Sequence, residues 1–320
     1  MYNRRRETGV ALISVLLIVA ILLAVVGRLM ANHGLSISQN QNVFEQNQAL
    51  QYALGAESLA RQALFEDFSQ GGPDVDHLGE VWAQPVLPFE LDEGGFLEAQ
   101  VRDLNGCFNL NNLAGGGSKA AIERLKRLLT NLNAPQQIAD AWLDWIDGDS
   151  NVTEFGAEDS EYLVANIPHR TPNDLVSNVS EMALLQNMDA DTLLEVRPHV
   201  CVLPTTDTTL NVNTANLQTL ASLDNSVSPA TAEAVVGIAR EYSAVSDFLT
   251  EYPDYQPAAA VLSVKSEYFE MHAFAQVGDS SVTLLSVFHR DPTSGEVTVL
   301  ARDFGRLFRS SIEVATEEAS

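Results

Sequence analysis

The chain has 320 residues, 46% of them hydrophobic and 19% charged, which allows two or three domains with their own cores and excludes a disordered chain. Lys and Arg number 18 against 43 Asp and Glu, a formal net charge of −25, so the positive footprint of a nucleic-acid binder or of a protein held on anionic membrane surfaces is missing. Charged partners should be basic or metallic.

Arg4, Arg5 and Arg6 precede an apolar run from Val10 to Val26 that is interrupted only by Ser14. As a helix this run would span roughly 25 Å, close to a hydrocarbon core. The arginines before it, against Arg28 alone after it, put residues 1–9 in the cytoplasm and the rest across the membrane. Met30-Ala31-Asn32 is a poor small-x-small cleavage site, and polar helix-forming sequence follows from Gly34 to about Phe68. There Val43, Leu50, Leu54, Ala60 and Leu64 recur at near-helical spacing until Gly71-Gly72-Pro73 stops the pattern. One long helix is expected over 10–70, with its transmembrane part at about 10–30.

The basic leader ending in Gly9 and running into an apolar helix resembles a type IV pilin-like precursor. That resemblance implies a leader of residues 1–9, cleavage by prepilin peptidase between Gly9 and Val10, and N-methylation of Val10. A plain uncleaved anchor is the alternative. Ser14 occupies the fifth mature position, where most members of that family carry a glutamate paired with a neighbour's N-terminal ammonium. A first subunit has no such neighbour, and an unpaired carboxylate in an apolar helix costs on the order of several kcal/mol. Serine therefore suits a subunit at a filament tip.

From Phe96 to Asp103 apolar and polar residues alternate as in a strand, and Asn105-Gly106 is a turn signal. Three more strand-like runs lie late in the chain, Glu267 to Val277, Ser281 to Arg290 and Glu296 to Phe304, the last two joined by Asp291-Pro292-Thr293-Ser294-Gly295. An antiparallel sheet of one early and three late strands is expected. Between them, Ala120 to Leu132, Pro135 to Ile146, Asn173 to Met188, Ala190 to Val196, Ala215 to Leu223 and Pro229 to Tyr242 look helical. The fold class is α+β: a pilin-like long N-terminal helix and a sheet divided over 71–106 and 263–320, with a helical domain of 107–262 inserted.

This architecture resembles the type II secretion minor pseudopilins of the K class. The residues that carry the resemblance are Gly9 to Ser14, Asp103-Leu104-Asn105-Gly106-Cys107-Phe108-Asn109-Leu110-Asn111, Trp145-Ile146-Asp147-Gly148-Asp149, Gly156-Ala157-Glu158-Asp159 with Tyr162, and Leu210-Asn211-Val212-Asn213-Thr214. It implies a tip subunit that joins the I- and J-class minor pseudopilins, starts the pseudopilus on the inner-membrane secretion platform, and keeps its soluble part in the periplasm of a bacterium, behind a single inner-membrane span. A minor pilin of a type IV pilus, acting in adhesion or assembly, is the second reading. No Gly-x-Ser-x-Gly or His-Glu-x-x-His and no nucleophile-base pair supports an enzyme.

DGDSNVTEFGAE, Asp147 to Glu158, can be numbered as a twelve-residue calcium loop. Asp147, Asp149 and Asn151 would supply side-chain oxygens, Thr153 its carbonyl and Glu158 a bidentate carboxylate, with Asp159 as a further ligand. Val152 occupies the sixth position, where an EF-hand needs glycine, so the backbone path must differ. Crowded carboxylates repel unless neutralised, and the resemblance to the K class, whose members bind calcium, points the same way: a structural Ca2+ is expected over a solvated acidic loop.

Cys107 and Cys201 lie outside the membrane, where disulfides persist, and one bond between them is expected over two reduced buried thiols. Leu210 to Ala239 looks like a helix-hairpin-helix or sterile-alpha-motif unit, echoed weakly by Phe108 to Leu113. Its turn, Leu223 to Ser228, lacks the glycines that present amides to phosphate and contains Asp224, so no nucleic acid is expected there.

Overall fold

The computed structural model describes residues 8–71, 75–84, 86–91, 95–165 and 167–305. Leader residues 1–7, the Gly72-Pro73 helix stop and the 306–320 end of the expected sheet segment lie outside the described residues.

Helix α1 runs Thr8–Gly71. Its apolar first part, from Leu12 to Met30, is exposed to the surroundings along its whole length, as a lipid-facing segment would be. Farther on, Ala49, Ala53, Ala56 and Leu64 are buried at helical spacing against the sheet. Small alanines on that stripe allow a close approach of helix to strands. Strands β1 (Val86–Leu91) and β2 (Gly95–Asp103) then lead into the insertion.

The first helical unit opens with β3 (Phe108–Asn109), continues through α2 (Ser118–Asn131), α3 (Gln137–Ile146), α4 (Asp159–Tyr162) and α5 (Ala190–Val196), and closes with β4 (Val200–Cys201), which pairs with β3 in parallel. A second unit repeats the plan: β5 (Leu210–Asn211), α6 (Leu217–Ala221), α7 (Pro229–Val236), α8 (Val245–Glu251) and β6 (Leu262–Ser263), parallel to β5. Trp142 and Trp145 centre the first core, Phe248 and Tyr255 the second. Strands β7 (Tyr268–Val277), β8 (Ser280–Arg290) and β9 (Val297–Asp303) complete a five-stranded antiparallel sheet in the order β1-β2-β7-β8-β9.

Paired asparagines explain the repeat. Asn109 and Asn211 each accept the backbone N–H two residues on, at 3.1 and 2.9 Å. Asn111 then binds the N–H and C=O of Val176, and Asn213 those of Tyr242. Each buried amide thus satisfies a returning loop whose backbone has no strand to pair with.

These clamps also account for two departures from the sequence reading. Asn173 to Met188 is not one helix: only Val179–Leu184 forms a short 3-10 turn. Asn111 holds Val176 in irregular backbone, and Asn173 itself has φ 48°. Helix α7 ends at Val236 rather than Tyr242, because Asn213 captures Tyr242 and Arg240 donates to the carbonyls of Val212 and Ala215. The unexpected β1 contains Pro88, which an edge strand tolerates.

The elements meet at a buried polar knot. Asp103, at the end of β2, accepts from Asn105 N–H, Thr214 Oγ1, Ser266 Oγ and Asn211 Nδ2. Next to it Arg290 bonds Asp76, lies 3.2 Å from Asp67 and donates to the Ser266 carbonyl, its guanidinium packed on the Phe269 ring. Arg290→Met would strand the buried Asp76 carboxylate. We expect it to destabilise the fold by about 3–5 kcal/mol, read as a lower urea midpoint at unchanged slope; a loss below about 1 kcal/mol would show that Asp76 is neutralised by something else.

Candidate metal centre

Helix α3 sets the site. Trp145 and Ile146 bury their side chains in the first core, so the chain must leave the helix at Asp147, which turns to extended backbone (φ −76°, ψ 160°). A ladder of carboxylate-to-amide bonds then shapes the loop. Asp147 Oδ1 accepts from Asp149 N–H (3.4 Å), Asp149 Oδ1 from Asn151 N–H (2.8 Å), and Asp144 Oδ2 from Thr153 N–H (3.0 Å). Thr153 C=O closes a turn by accepting from Gly156 N–H (3.1 Å). Helix α4 then starts after Glu158, whose own N–H is taken by Glu161.

This path brings Asp147, Asp149 and Glu158 together, with one carboxylate oxygen of each lying within 4.8 Å of the other two. Both oxygens of Glu158 are buried without a hydrogen-bond donor, and the residue is only 2% exposed. Burial is the main cause that lifts its carboxyl to about 6, with the charges of Asp144 and Asp147 adding to it. Burial likewise raises Asp144 and Asp147. Hard oxygen donors, one of them buried and unpaired, fit a divalent cation such as Ca2+ better than they fit each other.

The other expected ligands are placed as follows. Asn151 turns its amide to Asp149 Oδ1 (2.7 Å), and Thr153 leaves its carbonyl on Gly156. Asp159 points elsewhere, to Arg170 (2.9 Å) and the N–H of Thr171 (3.0 Å). Val152 keeps a negative φ, so the loop avoids the EF-hand turn. Sequence reading missed Asp144, one turn before Asp147 on α3 and fully buried; its i−3 spacing was the available signal. Gly156 was also missed as a requirement: a Cβ there would lie 1.9 Å from Asp144 Oδ2.

Cys107 and Cys201 are joined, with Cα atoms 5.8 Å apart, beside Leu104, Leu203 and Tyr268. Gly9 and Val10 fall in the first turns of α1, and their surroundings lie outside the described residues. The Leu223–Ser228 turn is used within the protein: Arg127 donates to the carbonyls of Ser222 and Leu223, tying α2 to the end of α6. A second acidic group, Asp67, Asp76 and Glu80, is engaged within the protein: Arg290 pairs with Asp67 and Asp76, and Glu80 accepts from Trp82 Nε1 (2.7 Å).

Comparison with known proteins fits this architecture. Residues 106–205 match the family model for type II secretion system (T2SS) protein K. The type II secretion system protein K of Pseudomonas aeruginosa is 37% identical over 95% of this chain and 94% of its own length. The chain belongs to the type II secretion protein K family. The protein K of Aeromonas hydrophila is 32% identical over 91% of the chain. A solved chain from the GspK-GspI-GspJ complex of enterotoxigenic Escherichia coli superposes with a TM-score of 0.74 at 30% identity, covering 84% of this chain and all of that one. The pilin-like helix and sheet with a helical insertion is thus the fold of a minor pseudopilin of the K class, and α1 supplies one span long and apolar enough to cross a membrane.

Two outcomes follow for the loop. Gly156→Ala should lower stability by about 1–3 kcal/mol, because the buried Asp144 carboxylate has nowhere to move; thermal unfolding would measure it, and an unchanged midpoint would contradict the close approach. In metal-free protein, the folded state keeps the Glu158 proton to about pH 6 while an unfolded glutamate loses it near about 4.3. Stability should therefore be full below about pH 4.3 and fall as pH rises through 6, and Glu158→Gln should flatten that fall.

Proposed function

We propose that this protein is the tip subunit of the type II secretion pseudopilus. It assembles with the I- and J-class minor pseudopilins and initiates the filament that drives export of folded proteins across the outer membrane. The observation that carries the reading is the likeness over the full length of a K chain solved together with I and J chains. Two features of this chain support it. Ser14 removes the charge that a subunit behind another would need, and the helical insertion hangs from one end of the sheet, a bulk that a packed shaft would have to accommodate.

In this reading prepilin peptidase removes residues 1–9 and methylates Val10, α1 anchors the chain in the inner membrane, and the sheet and both helical units stand in the periplasm. Ile37, Val43 and Phe44, exposed on α1 beyond the apolar run, continue the contact with partner helices. The inner-membrane platform receives the assembled tip. The chain has no catalytic role.

Asp147, Asp149 and Glu158 hold a structural Ca2+, with Asn151 and the Thr153 carbonyl completing the shell after a small adjustment of the loop. The ion neutralises the crowded carboxylates and stiffens the connection between α3 and α4. It performs no chemistry.

The test mixes the full chain in detergent with the I- and J-class proteins of the same secretion system and reads mass by light scattering, with and without chelator. A three-component complex is expected. Calcium at a hundredfold excess over its dissociation constant should stabilise the free chain by about 2.7 kcal/mol, and Glu158→Gln should abolish that gain. A monomer indifferent to the partners would reject the tip reading; a melting temperature indifferent to calcium would reject the metal.

A further inference from the structure

The segment that returns from α4 toward α5 is tied to the metal centre and pinned on either side of residue 173. Asp159 accepts from Arg170 Nη1 (2.9 Å) and from Thr171 N–H (3.0 Å), and Asn111 Oδ1 accepts from Val176 N–H (3.2 Å). Between these anchors Asn173 donates its own N–H to the Trp145 carbonyl (3.3 Å), in the last turn of α3 just before Asp147. Its backbone is left-handed, with φ 48°, a conformation that most side chains avoid.

The Asn173 side chain is held at one end only. Nδ2 donates to the Asp149 carbonyl (3.3 Å). That bond sets the orientation of the amide, since a reversed amide would turn its oxygen onto the carbonyl oxygen. Oδ1 is thereby left buried, with no donor among the described residues. It shares this condition with both oxygens of Glu158, so three buried acceptors without a donor belong to residues tied to one loop. Acceptors cannot satisfy one another; they need a common cation or a source of protons.

We propose that Asn173 Oδ1 is a further ligand of the cation held by Asp147, Asp149 and Glu158, and that it biases the centre toward Ca2+ over Mg2+. The proposal rests on the metal reading given above. An amide oxygen is a hard, neutral donor, so it adds to the coordination without adding to the repulsion among the carboxylates. Ca2+ takes about six to eight oxygens in flexible geometry, whereas Mg2+ keeps several of its waters and uses few protein donors. A donor delivered by a second chain segment therefore favours the larger ion. The same donor ties the returning segment to the end of α3 whenever the ion is bound, a link that residues 147–158 alone do not provide. Asparagine suits the position twice over: it tolerates the left-handed backbone, and it carries the oxygen.

Asn173→Gly separates ligation from backbone, because glycine adopts this φ without strain yet offers no oxygen. The full chain and the variant, both in detergent, are titrated with Ca2+ and with Mg2+ by thermal melting. Terbium then stands in for calcium, its luminescence excited through tryptophan, and its lifetimes in light and heavy water count the waters left on the ion. Asn173→Gly should weaken Ca2+ binding at least about tenfold, leave the response to Mg2+ nearly unchanged, and place about one more water on terbium. Melting temperatures without metal should stay close, reporting an intact fold. Equal Ca2+ affinities and equal water counts would overturn the assignment and leave Asn173 Oδ1 to solvent. Equal losses for Ca2+ and Mg2+ would refute the preference for the larger ion. A full chain that responds to neither ion would instead reject the metal reading itself, and this proposal with it.

Discussion

The arrangement of this molecule depends on how it buries charge at the root of its insertion. Asp103 ends β2, and its carboxylate gathers donors from the first unit's entry turn, from the opening of the second unit and from Ser266 just before β7. Burial lifts its carboxyl to about 6 against those bonds. Arg290, two bonds away through Ser266, carries the compensating charge and ties in Asp76 and Asp67 from the segment after α1. Five stretches separated in sequence thereby share one set of directional contacts. An apolar junction would bring the same pieces together without fixing their angles; polar groups that must all be satisfied leave few alternatives.

The two acidic clusters, one at the end of α1 and one after α3, resolve the same problem differently. Asp67 and Asp76 pair with a guanidinium, so their neutralisation is covalently part of the protein. Asp147, Asp149 and Glu158 enclose no such group among the described residues: Arg170 is taken by Asp159 and Lys126 by Asp140. The raised carboxyls of Asp144, Asp147 and Glu158 have a common origin in burial, and each makes the ionised state of the others harder to reach. Local geometry alone, through the amide ladder and the glycine at 156, holds them close.

Much of this was legible in the sequence where a period or a spacing carries it. Alternation marked β2, β7, β8 and β9 to within a residue or two, and the apolar run followed by an amphipathic stripe marked α1. The loop's acidic spacing singled out Asp147, Asp149 and Glu158, which do converge. What was hidden depends on contacts distant in sequence. Nothing local tells that Asn111 holds Val176 across 65 positions and so prevents the helix that residues 173–188 favour by composition. Pro88 disguised β1, because a proline is unfavourable in a strand except at an edge, and edge position is a property of the whole sheet. Asp159 reads as a ligand by spacing, yet Arg170 arrives from beyond α4 to claim it.

Helix α1 shows how one element serves three surroundings in turn. From Leu12 to Met30 its mostly apolar side chains are exposed, which suits lipid. Between Ile37 and Phe44 apolar residues remain exposed while polar ones appear, a mixture suited to contact with other helices in water. From Ala49 onward the buried stripe is mostly alanine, and the sheet reaches across it to make specific bonds. Glu57 is the fixed point of that last part: nearly buried, it accepts from Ser286 and from both ends of the Arg302 guanidinium, which holds its carboxyl below the usual range. The one buried charge in this part of the helix thus has its partners on the chain's own sheet. Farther down, Ser14 keeps the apolar run free of a carboxylate, which would be costly there unless paired.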